Sequence, residues 1–144
     1  MELAGRVALV TGAGRRLGQA FARALAGRGM TLALHYNASR DGADALRTEI
    51  LAAGGRAECF GADLSNAHTA RALAGRVVET LGRLDVLVNS AAIMHQVPFE
   101  ATTPELFDEA MQVNLRGPFF VAQGAAGALR AANGALYGDR KSVV

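Results

Sequence analysis

Residues 11–18 read Thr-Gly-Ala-Gly-Arg-Arg-Leu-Gly, and this glycine-rich stretch decides the predicted fold. An apolar run, Val7–Val10, precedes it, and apolar residues at helical spacing follow it. Glycines between a strand and a helix let the backbone turn tightly and approach a diphosphate, whose charge then lies at the helix N-terminus. The stretch therefore predicts a phosphate-binding turn, and the alternative is a glycine-rich turn that binds nothing.

Outward from this turn, apolar runs of strand length alternate with stretches of helical period. Strands are predicted at Val7–Val10, Thr31–Tyr36, Arg56–Gly61, Leu84–Val88 and from Ala135 onward. Helices are predicted at about 17–25, at Gly42–Ala53, at about 70–81, and from Pro104, after an N-cap at Thr103, to about Ala131. Because the strands are too apolar to have a face in water, this order predicts an α/β protein. The fold class is a Rossmann-type doubly wound parallel sheet, truncated after about the start of strand five.

Two finer expectations concern the helices. The buried stripe of the first helix is predicted to comprise Leu17, Ala20, Phe21, Ala24 and Leu25. In the last helix, Pro118 lies four residues after Asn114 and cannot donate a hydrogen bond to its carbonyl group. That carbonyl is predicted to be free and the helix to be kinked there; the alternative is a proline that merely bends a surface helix.

Composition limits the classes of function. The chain of 144 residues has a net charge of +2 with scattered basic residues, which argues against a nucleic-acid partner. No apolar run reaches membrane-spanning length and no signal segment opens the chain, so we expect no membrane partner and a cytoplasmic location. The single cysteine, Cys59, excludes an internal disulfide and is interpreted as a buried strand residue rather than a reactive thiol. His68 and His95 have no second ligand at metal spacing, so no metal site is predicted.

The spacing of the glycines is a more specific signal than their number. Gly14 and Gly18 are separated by three residues, one more than in the common G-x-G-x-x-G pattern. Thr11-Gly12, three residues, a small residue, one more and then a glycine is the cofactor loop of the short-chain dehydrogenase/reductase family. The loop resembles that pattern, with Arg16 in the place of the small residue.

Further matches follow in the order that this family has. Asp63-Leu64, after the third strand, resembles its adenine-binding Asp and aliphatic residue. Asn89-Ser90-Ala91-Ala92, after the fourth strand, resembles its Asn-Asn-Ala-Gly motif, with a serine and an alanine as departures. Asn114 matches the helix asparagine of its catalytic tetrad, whose backbone holds a water in the proton relay to the catalytic lysine. The resemblance implies cofactor contacts from Thr11, Gly12, Gly14, Arg15, Arg16, Leu17, Gly18, Asp63, Leu64, Asn89, Ser90 and Ala91.

The end of the second strand bears on the choice between NAD and NADP. An NAD enzyme usually carries an acid there for the ribose 2′-hydroxyl, and here no acid appears before Asp41. The basic and polar residues that suit a 2′-phosphate are Arg15, Arg16, Asn37, Ser39 and Arg40. NADP(H) is therefore the predicted cofactor, with NAD(H) as the alternative. The alternative for the arginines is that they are ordinary solvated surface residues.

A subgroup is also indicated. The Arg15-Arg16 pair and His35-Tyr36 with Ser39 are similar to pteridine reductases within the family. His35 itself is interpreted as a packed histidine at the end of a buried strand rather than a catalyst.

The resemblance implies hydride transfer between NADP(H) and a carbonyl or alcohol carbon, or a C=N or C=C bond, of a small molecule. The family's tyrosine is the general acid/base, with a lysine beside it and a serine that orients the substrate. Tyr137 and Lys141 stand four apart, but Tyr137 falls in the predicted fifth strand and is not interpreted as that tyrosine. We therefore expect the Ser and Tyr-x-x-x-Lys region to be missing and this chain alone to be inactive.

Two other functional classes stay open. One is a non-catalytic NADP-binding module or redox sensor, which would need no Tyr-x-x-x-Lys pair downstream. The other is an interaction protein without a ligand, for which the loop, Asp63 and Asn89 would all be coincidental. The resemblance also implies that a full-length form is a homodimer or homotetramer.

Residues 1–137 are assigned to one incomplete NAD(P)-binding Rossmann domain, and residues 138–144 are expected to be a foreign tail. Lys141 is the only lysine of the chain. Asp139–Val144 and a stop can be encoded by GAT CGG AAG AGC GTC GTG TAG, the start of a widely used sequencing adapter. We hypothesise that adapter read-through replaced the coding sequence after about Tyr137.

Overall fold

A computed structural model describes residues 2–138 as a five-stranded sheet with helices on both faces. Its strands are β1 (Val7–Val10), β2 (Thr31–Tyr36), β3 (Arg56–Gly61), β4 (Val86–Asn89) and β5 (Ala135–Gly138). Its helices are α1 (Arg16–Ala26), α2 (Arg40–Ala52), α3 (Ala67–Leu81), α4 (Pro104–Met111) and α5 (Gly117–Ala131). A short 3₁₀ turn covers Phe99–Ala101, and a π-helical segment covers Gln112–Arg116.

The strand order is β3-β2-β1-β4-β5, and all four pairings are parallel. The chain winds from β1 outward to β3 and then returns to the other side of β1 for β4 and β5. The strand order therefore reverses between β1 and β4, and a crevice beyond their carboxyl ends is where open α/β sheets bind ligands. The Rossmann-type α/β fold is confirmed.

The central strands β1, β2 and β4 are buried on both faces, which explains their apolar sequence, whereas all four residues of β5 are exposed. On one face, β-strand residues such as Leu9 and Leu87 pack with Leu73 of α3 and Val121 of α5. On the other face, the buried residues of the core come mainly from β1, β2, α1 and α2, and include Val10, Leu32, Leu34, Ala22, Leu46 and Ile50. Each strand of the centre thus supplies side chains to two apolar layers, as a parallel sheet requires.

The predicted stripe of α1 is partly right, because Phe21 and Leu25 pack against the core while the other three residues are exposed. Leu17 is 47% exposed, and Ala20 and Ala24 are also exposed. The buried residues of this helix are Gly18 and Ala22. The helix approaches the sheet through its smallest residues, because a Cβ on Gly18 would collide with the carbonyl oxygen of Gly12.

The predicted helix up to Ala131 is interrupted directly before Pro118. The amide of Gly117 bonds to the carbonyl of Gln112, five residues back, which widens one turn into π geometry. Because Pro118 has no amide hydrogen, regular α-helical bonding to Asn114 is impossible there. The irregularity lies where the sequence predicts it, in the form of a π-helical segment that contains Asn114.

The amino end of the sheet is closed by a buried carboxylate. Asp85 is fully buried and accepts hydrogen bonds from Arg83 at 2.6 and 2.8 Å and from the amide of Val7 at 2.9 Å, and Arg6 lies 3.3 Å away. Burial alone would raise the pKa of Asp85, but these hydrogen bonds and the two guanidinium charges hold it below its ordinary value. β4 begins directly after this residue, at Val86, two residues later than predicted.

The structure also bears on the predictions for Cys59, for the end of the domain and for membrane-spanning segments. Cys59 is half-buried rather than buried, and burial, with Asp44 nearby, raises the pKa of its thiol to about 11. Gly138 is the last residue of β5, so the predicted boundary after Tyr137 falls inside this strand. Asp139–Val144 lie outside the described residues. Within residues 2–138, no helix combines the length and apolar character needed to cross a membrane.

Candidate functional site at the carboxyl ends of the strands

Thr11 joins the ends of β1 and β4. Its side chain is fully buried, and its hydroxyl oxygen accepts hydrogen bonds from the amides of Ser90 and Ala91, both at 3.0 Å. Its own amide donates to the carbonyl of Val88 at 2.9 Å. The predicted glycine loop and the predicted Asn89–Ala92 motif are therefore one bonded unit, which sequence spacing alone did not establish.

Gly12 is a glycine for two reasons. Its φ of +67° lies in the left-handed region, and a Cβ would stand 2.7 Å from the Cα of Ala91. Gly18, at the start of α1, has a similar role, since a Cβ there would collide with Gly12. The loop thus passes close to β4 and to α1 at positions that only glycine permits, which is the backbone geometry that a diphosphate-binding turn needs.

The loop after β2 packs directly on the glycine loop. A Cβ on Gly14 would collide with the carbonyl of Ser39, and a Cβ on Gly42 would collide with the carbonyl of Gly14. Arg15 follows Gly14 and Arg40 follows Ser39, so this contact brings the two arginines to the same edge of the site. Gly42 was missed by sequence reasoning, because nothing in its own neighbourhood signals the contact.

The loop arginines are exposed and without partners. Arg15 has an extended backbone, whereas Arg16 has a φ of +51°, a conformation that costs an L-residue about 1 kcal/mol or more. Within residues 2–138, neither guanidinium group has a described hydrogen bond or ion pair. Leu17, the next residue, is also half-exposed. The N-terminus of α1 therefore carries two available positive charges and no acidic residue in its first turn.

The predicted 2′-phosphate residues after β2 are only partly available. Asn37 is exposed, and Ser39 at the N-cap of α2 makes no side-chain cap bond. Arg40 lies 3.4 Å from the carboxylate of Asp44, and both side chains are largely exposed. Arg40 is therefore partly neutralised by Asp44, in contrast to the arginines of the glycine loop.

The Asp63-Leu64 pair splits into a surface and a core residue. The carboxylate of Asp63 accepts hydrogen bonds from the amide of Ser65 at 2.9 Å and from its hydroxyl at 2.7 Å. Leu64 is buried against the α3–α5 side of the core. The structure places both at the end of β3, on the far side of β2 from the glycine loop.

Asn89 has an unsatisfied polar atom. The residue is 5% exposed, and its amide nitrogen donates weakly, at 3.4 Å, to the carbonyl of Pro118. Its Oδ1 is buried and has no hydrogen-bond partner among the described residues. A buried acceptor without a partner is costly, so this atom is expected to find one in the functional state of the site.

Asn114 acts through its side chain as well as its place in the π-helical segment. Its Oδ1 accepts a hydrogen bond from the amide of Ile93 at 2.8 Å, and its Nδ2 donates to the carbonyl of Ile93 at 2.7 Å. This two-point clamp fixes the segment that follows Ala92. Nearby, His95 lies 3.0 Å from Glu109 of α4. Within residues 2–138, no cluster of three or more histidine, cysteine or acidic side chains is placed to hold a metal.

His35 is packed as predicted, and it also contacts the glycine loop. Its imidazole is 99% buried, with Nδ1 3.1 Å from the amide of Gly12 and Nε2 2.9 Å from the carbonyl of Ala62. Burial, reinforced by the charge of Arg76, lowers the pKa of His35 in spite of the bond to Ala62. The bond to Gly12 was missed, and only the parallel order of β2 between β1 and β3 could have suggested it.

The site fits a dinucleotide. Glycine backbone lines the crevice, two unpaired arginines flank the start of α1, and an unpartnered amide oxygen lies at the end of β4. These features define a dinucleotide-binding α/β domain.

The sequence profile of the short chain dehydrogenase family matches residues 6–136. The chain belongs to this family.

Known proteins support this placement. An uncharacterized oxidoreductase of Methylorubrum extorquens is 41% identical over 124 residues, which cover 86% of this chain and 50% of the relative. A versicolorin reductase of Emericella nidulans is 40% identical, with coverage of 86% and 47%. A short chain dehydrogenase of Burkholderia cenocepacia, solved in complex with NADP, superimposes with a TM-score of 0.85 at 36% identity and covers 90% of this chain and 53% of that one. The chain thus spans about half the length of the curated relatives it matches.

Proposed function

We propose that this chain is the NADP(H)-binding half of an oxidoreductase that transfers hydride between NADP(H) and a small molecule with a carbonyl or alcohol group. A C=N or C=C bond is the other substrate class. The observation that carries the proposal is the glycine loop, which is bonded to the ends of β2 and β4 and carries two unpaired arginines. Membership of the short chain dehydrogenase family supports it, and several solved relatives hold NADP or NADPH.

The preference for NADP(H) over NAD(H) rests on charge. The end of β2 offers no acid to the ribose 2′-hydroxyl, and Arg15 and Arg16 are free to bind a 2′-phosphate. Because Arg40 is already near Asp44, we assign most of the preference to the loop pair. The similarity of this pair to pteridine reductases stays a prediction about the substrate.

The chain's own residues would hold the cofactor and shape one wall of the pocket. Gly12 and Gly14 give the diphosphate access to backbone, and Asn89 offers its free Oδ1 beside the crevice. Asn114 holds the Ile93 segment as the wall nearest the reacting end. The bound nicotinamide supplies the hydride chemistry. The family's Ser and Tyr-x-x-x-Lys are not among these residues, so we expect the chain alone to bind cofactor without turnover.

A non-catalytic NADP-binding module or redox sensor is the second candidate. The same cofactor geometry favours it, because none of the contacts described above performs proton transfer. An enzyme needs Tyr-x-x-x-Lys in the coding sequence downstream of β5, and a sensor does not, so that sequence separates the two. A cytoplasmic location is proposed for either.

We also propose that the full-length form is a homodimer or homotetramer. An apolar groove on α4, the π-helical segment and α5 is lined by Asp108, Met111, Gln112, Leu115, Arg116 and Phe119. Leu115 and Phe119 are 60% and 61% exposed. If a second copy packed antiparallel on this groove, with the two Gln112 residues opposite each other, Asp108 of each chain would face Arg116 of the other. The groove is therefore complementary to itself in charge.

The test is equilibrium binding of NADPH and NADH to the purified 144-residue chain, followed by cofactor fluorescence. We expect NADPH to bind about tenfold or more tightly than NADH, as one or two charge-assisted hydrogen bonds would give. Arg15→Ala with Arg16→Ala should remove the preference, whereas Arg28→Ala, at the far end of α1, should leave it unchanged. Tighter binding of NADH would contradict the NADP assignment, and no binding of either would contradict the proposed function.

A further inference from the structure

Among the described residues 2–138, His35 is the buried titratable side chain that links the glycine loop to the adenine side of the proposed site. It lies at the end of β2, between β1 and β3, and is 99% buried. The amide of Gly12 donates to its Nδ1 at 3.1 Å, and the amide of Ala13 donates to its main-chain carbonyl at 2.9 Å. Two successive amides of the loop are therefore held by this single residue.

The other ring nitrogen fixes the tautomer. Nε2 lies 2.9 Å from the carbonyl of Ala62, which can only accept a hydrogen bond, so Nε2 carries the proton. Nδ1 is then the acceptor that the Gly12 amide requires. A neutral imidazole satisfies both neighbours, and a protonated one would turn an N–H toward the N–H of Gly12.

The groups around the ring favour the neutral form. The glycine loop and Ala62 present backbone, and the nearby charge is the guanidinium of Arg76 on α3, which opposes protonation. The carboxylate of Asp63, next in the chain after Ala62, bonds to Ser65 instead. No acidic partner is described for the imidazole within residues 2–138.

We propose that neutral His35 is a positioning residue for the cofactor, since its Nδ1 sets the Gly12 amide and hence the diphosphate-binding turn. The proposal rests on the proposed function above. It predicts that affinity for the dinucleotide depends on the bond to Gly12 more than on the bond to Ala62. It also predicts that affinity falls when the ring is protonated.

Two substitutions separate the bonds. In His35→Asn the side-chain oxygen can take the place of Nδ1 and keep the Gly12 bond, while the Ala62 bond is lost. In His35→Gln the amide nitrogen can take the place of Nε2 and keep the Ala62 bond, while the Gly12 bond is lost. Each variant thus loses one buried hydrogen bond, so both should be destabilised by similar amounts.

Cofactor affinity should differ between the two variants. We measure the Kd of NADP⁺, which is stable in acid, for the 144-residue chain and both variants at about pH 8, with thermal unfolding to compare their stabilities. His35→Asn should bind within about threefold of the unchanged chain, and His35→Gln about tenfold more weakly, because loss of the Gly12 bond displaces the turn that receives the diphosphate. A merely structural role would give equal affinities to the two variants.

The pH profile is the second readout. From about pH 8 to about pH 5, the unchanged chain should lose affinity relative to His35→Asn, with a midpoint below the ordinary histidine value because the pKa of His35 is lowered. The ratio of the two proteins cancels titration of the 2′-phosphate itself, which occurs near pH 6. The control is Arg28→Ala, which lies outside the site and should show the same dependence of affinity on pH as the unchanged chain.

The outcomes are distinguishable. If the unchanged chain binds NADP⁺ and the two variants bind equally, the role of His35 is overturned while the proposed function stands. If the unchanged chain binds no dinucleotide, the proposed function is contradicted and this inference with it.

Discussion

The two ends of one sheet are built in opposite ways. At the amino end, the fully buried Asp85 has its carboxylate satisfied by Arg83 and the amide of Val7. At the carboxyl end, Asn89 keeps a buried oxygen without a described partner, and Arg16 holds a left-handed backbone. The first end contributes stability, whereas the second end keeps an unsatisfied polar atom and a left-handed residue, features that cluster at functional sites.

The largest loss of stability should come from a substitution at the amino end of the sheet, where the carboxylate of Asp85 is fully bonded. Asp85→Asn removes the charge that two guanidinium groups face, and disruption of a buried ion pair costs about 3–5 kcal/mol. The matched control is Glu49→Gln, whose partner Arg23 is similarly bonded at 2.8 Å but exposed, and which should cost much less stability than Asp85→Asn. Urea unfolding of the variants measures both, and equal losses would contradict the contrast between buried and exposed pairs.

Acid should remove the same contribution. Because the pKa of Asp85 is held below its unfolded value, its stabilisation is complete above about pH 4 and is lost as pH falls through the lowered value. The difference in unfolding free energy between the unchanged chain and Asp85→Asn should therefore shrink in acid. A difference that stays constant from neutral pH down to about pH 2 would show that the carboxylate charge is not its source.

The next largest effect should come from the carboxyl end of the sheet, where the backbone of Gly12 passes close to Ala91. Gly12→Ala combines a φ of +67° with a clash against Ala91, while Gly5→Ala has a similar φ of +76° and open space. Gly5→Ala should cost about 1 kcal/mol of stability, and Gly12→Ala more than that. Gly12→Ala should also weaken NADPH binding at least tenfold, and Gly5→Ala should not change it. Equal losses of stability and of NADPH affinity in the two variants would show that the close approach of Gly12 to Ala91 is not needed.

The smallest effect should be a gain in stability. Arg16→Gly relieves the left-handed strain and should raise the unfolding free energy by up to about 1 kcal/mol, while NADPH affinity falls. The control is Asn133→Gly, at a φ of +50° after α5 and away from the site, which should change stability slightly and leave affinity intact. A loss of stability in Arg16→Gly would show that the arginine has a structural partner.

The strands were predictable because burial on both faces leaves a simple apolar pattern. β1, β2 and β3 match their predicted bounds, since nothing but backbone pairing and apolar contact sets them. β4 begins later than predicted, after Asp85, whose contact with Arg6 joins distant parts of the chain and is not visible in the local pattern.

The candidate site was predictable only as a set of residues. Thr11, Asn89 and Asn114 were identified from a motif, but their bonds to Ser90, Pro118 and Ile93 depend on how strands meet in space. The stripe on α1 was only partly right, because helical spacing finds large apolar residues such as Phe21 and Leu25 but not the small ones, Gly18 and Ala22, that are most deeply buried.

The most direct measurement of the central claim is the response of backbone amides to cofactor in the isotopically labelled chain, followed by NMR. We expect NADP⁺ to shift the amides of residues 11–18 and 89–91 most. NAD⁺ should shift the same amides without moving the side-chain Nε resonances of Arg15 and Arg16. Shifts confined to other parts of the molecule, or identical arginine responses to both dinucleotides, would contradict it.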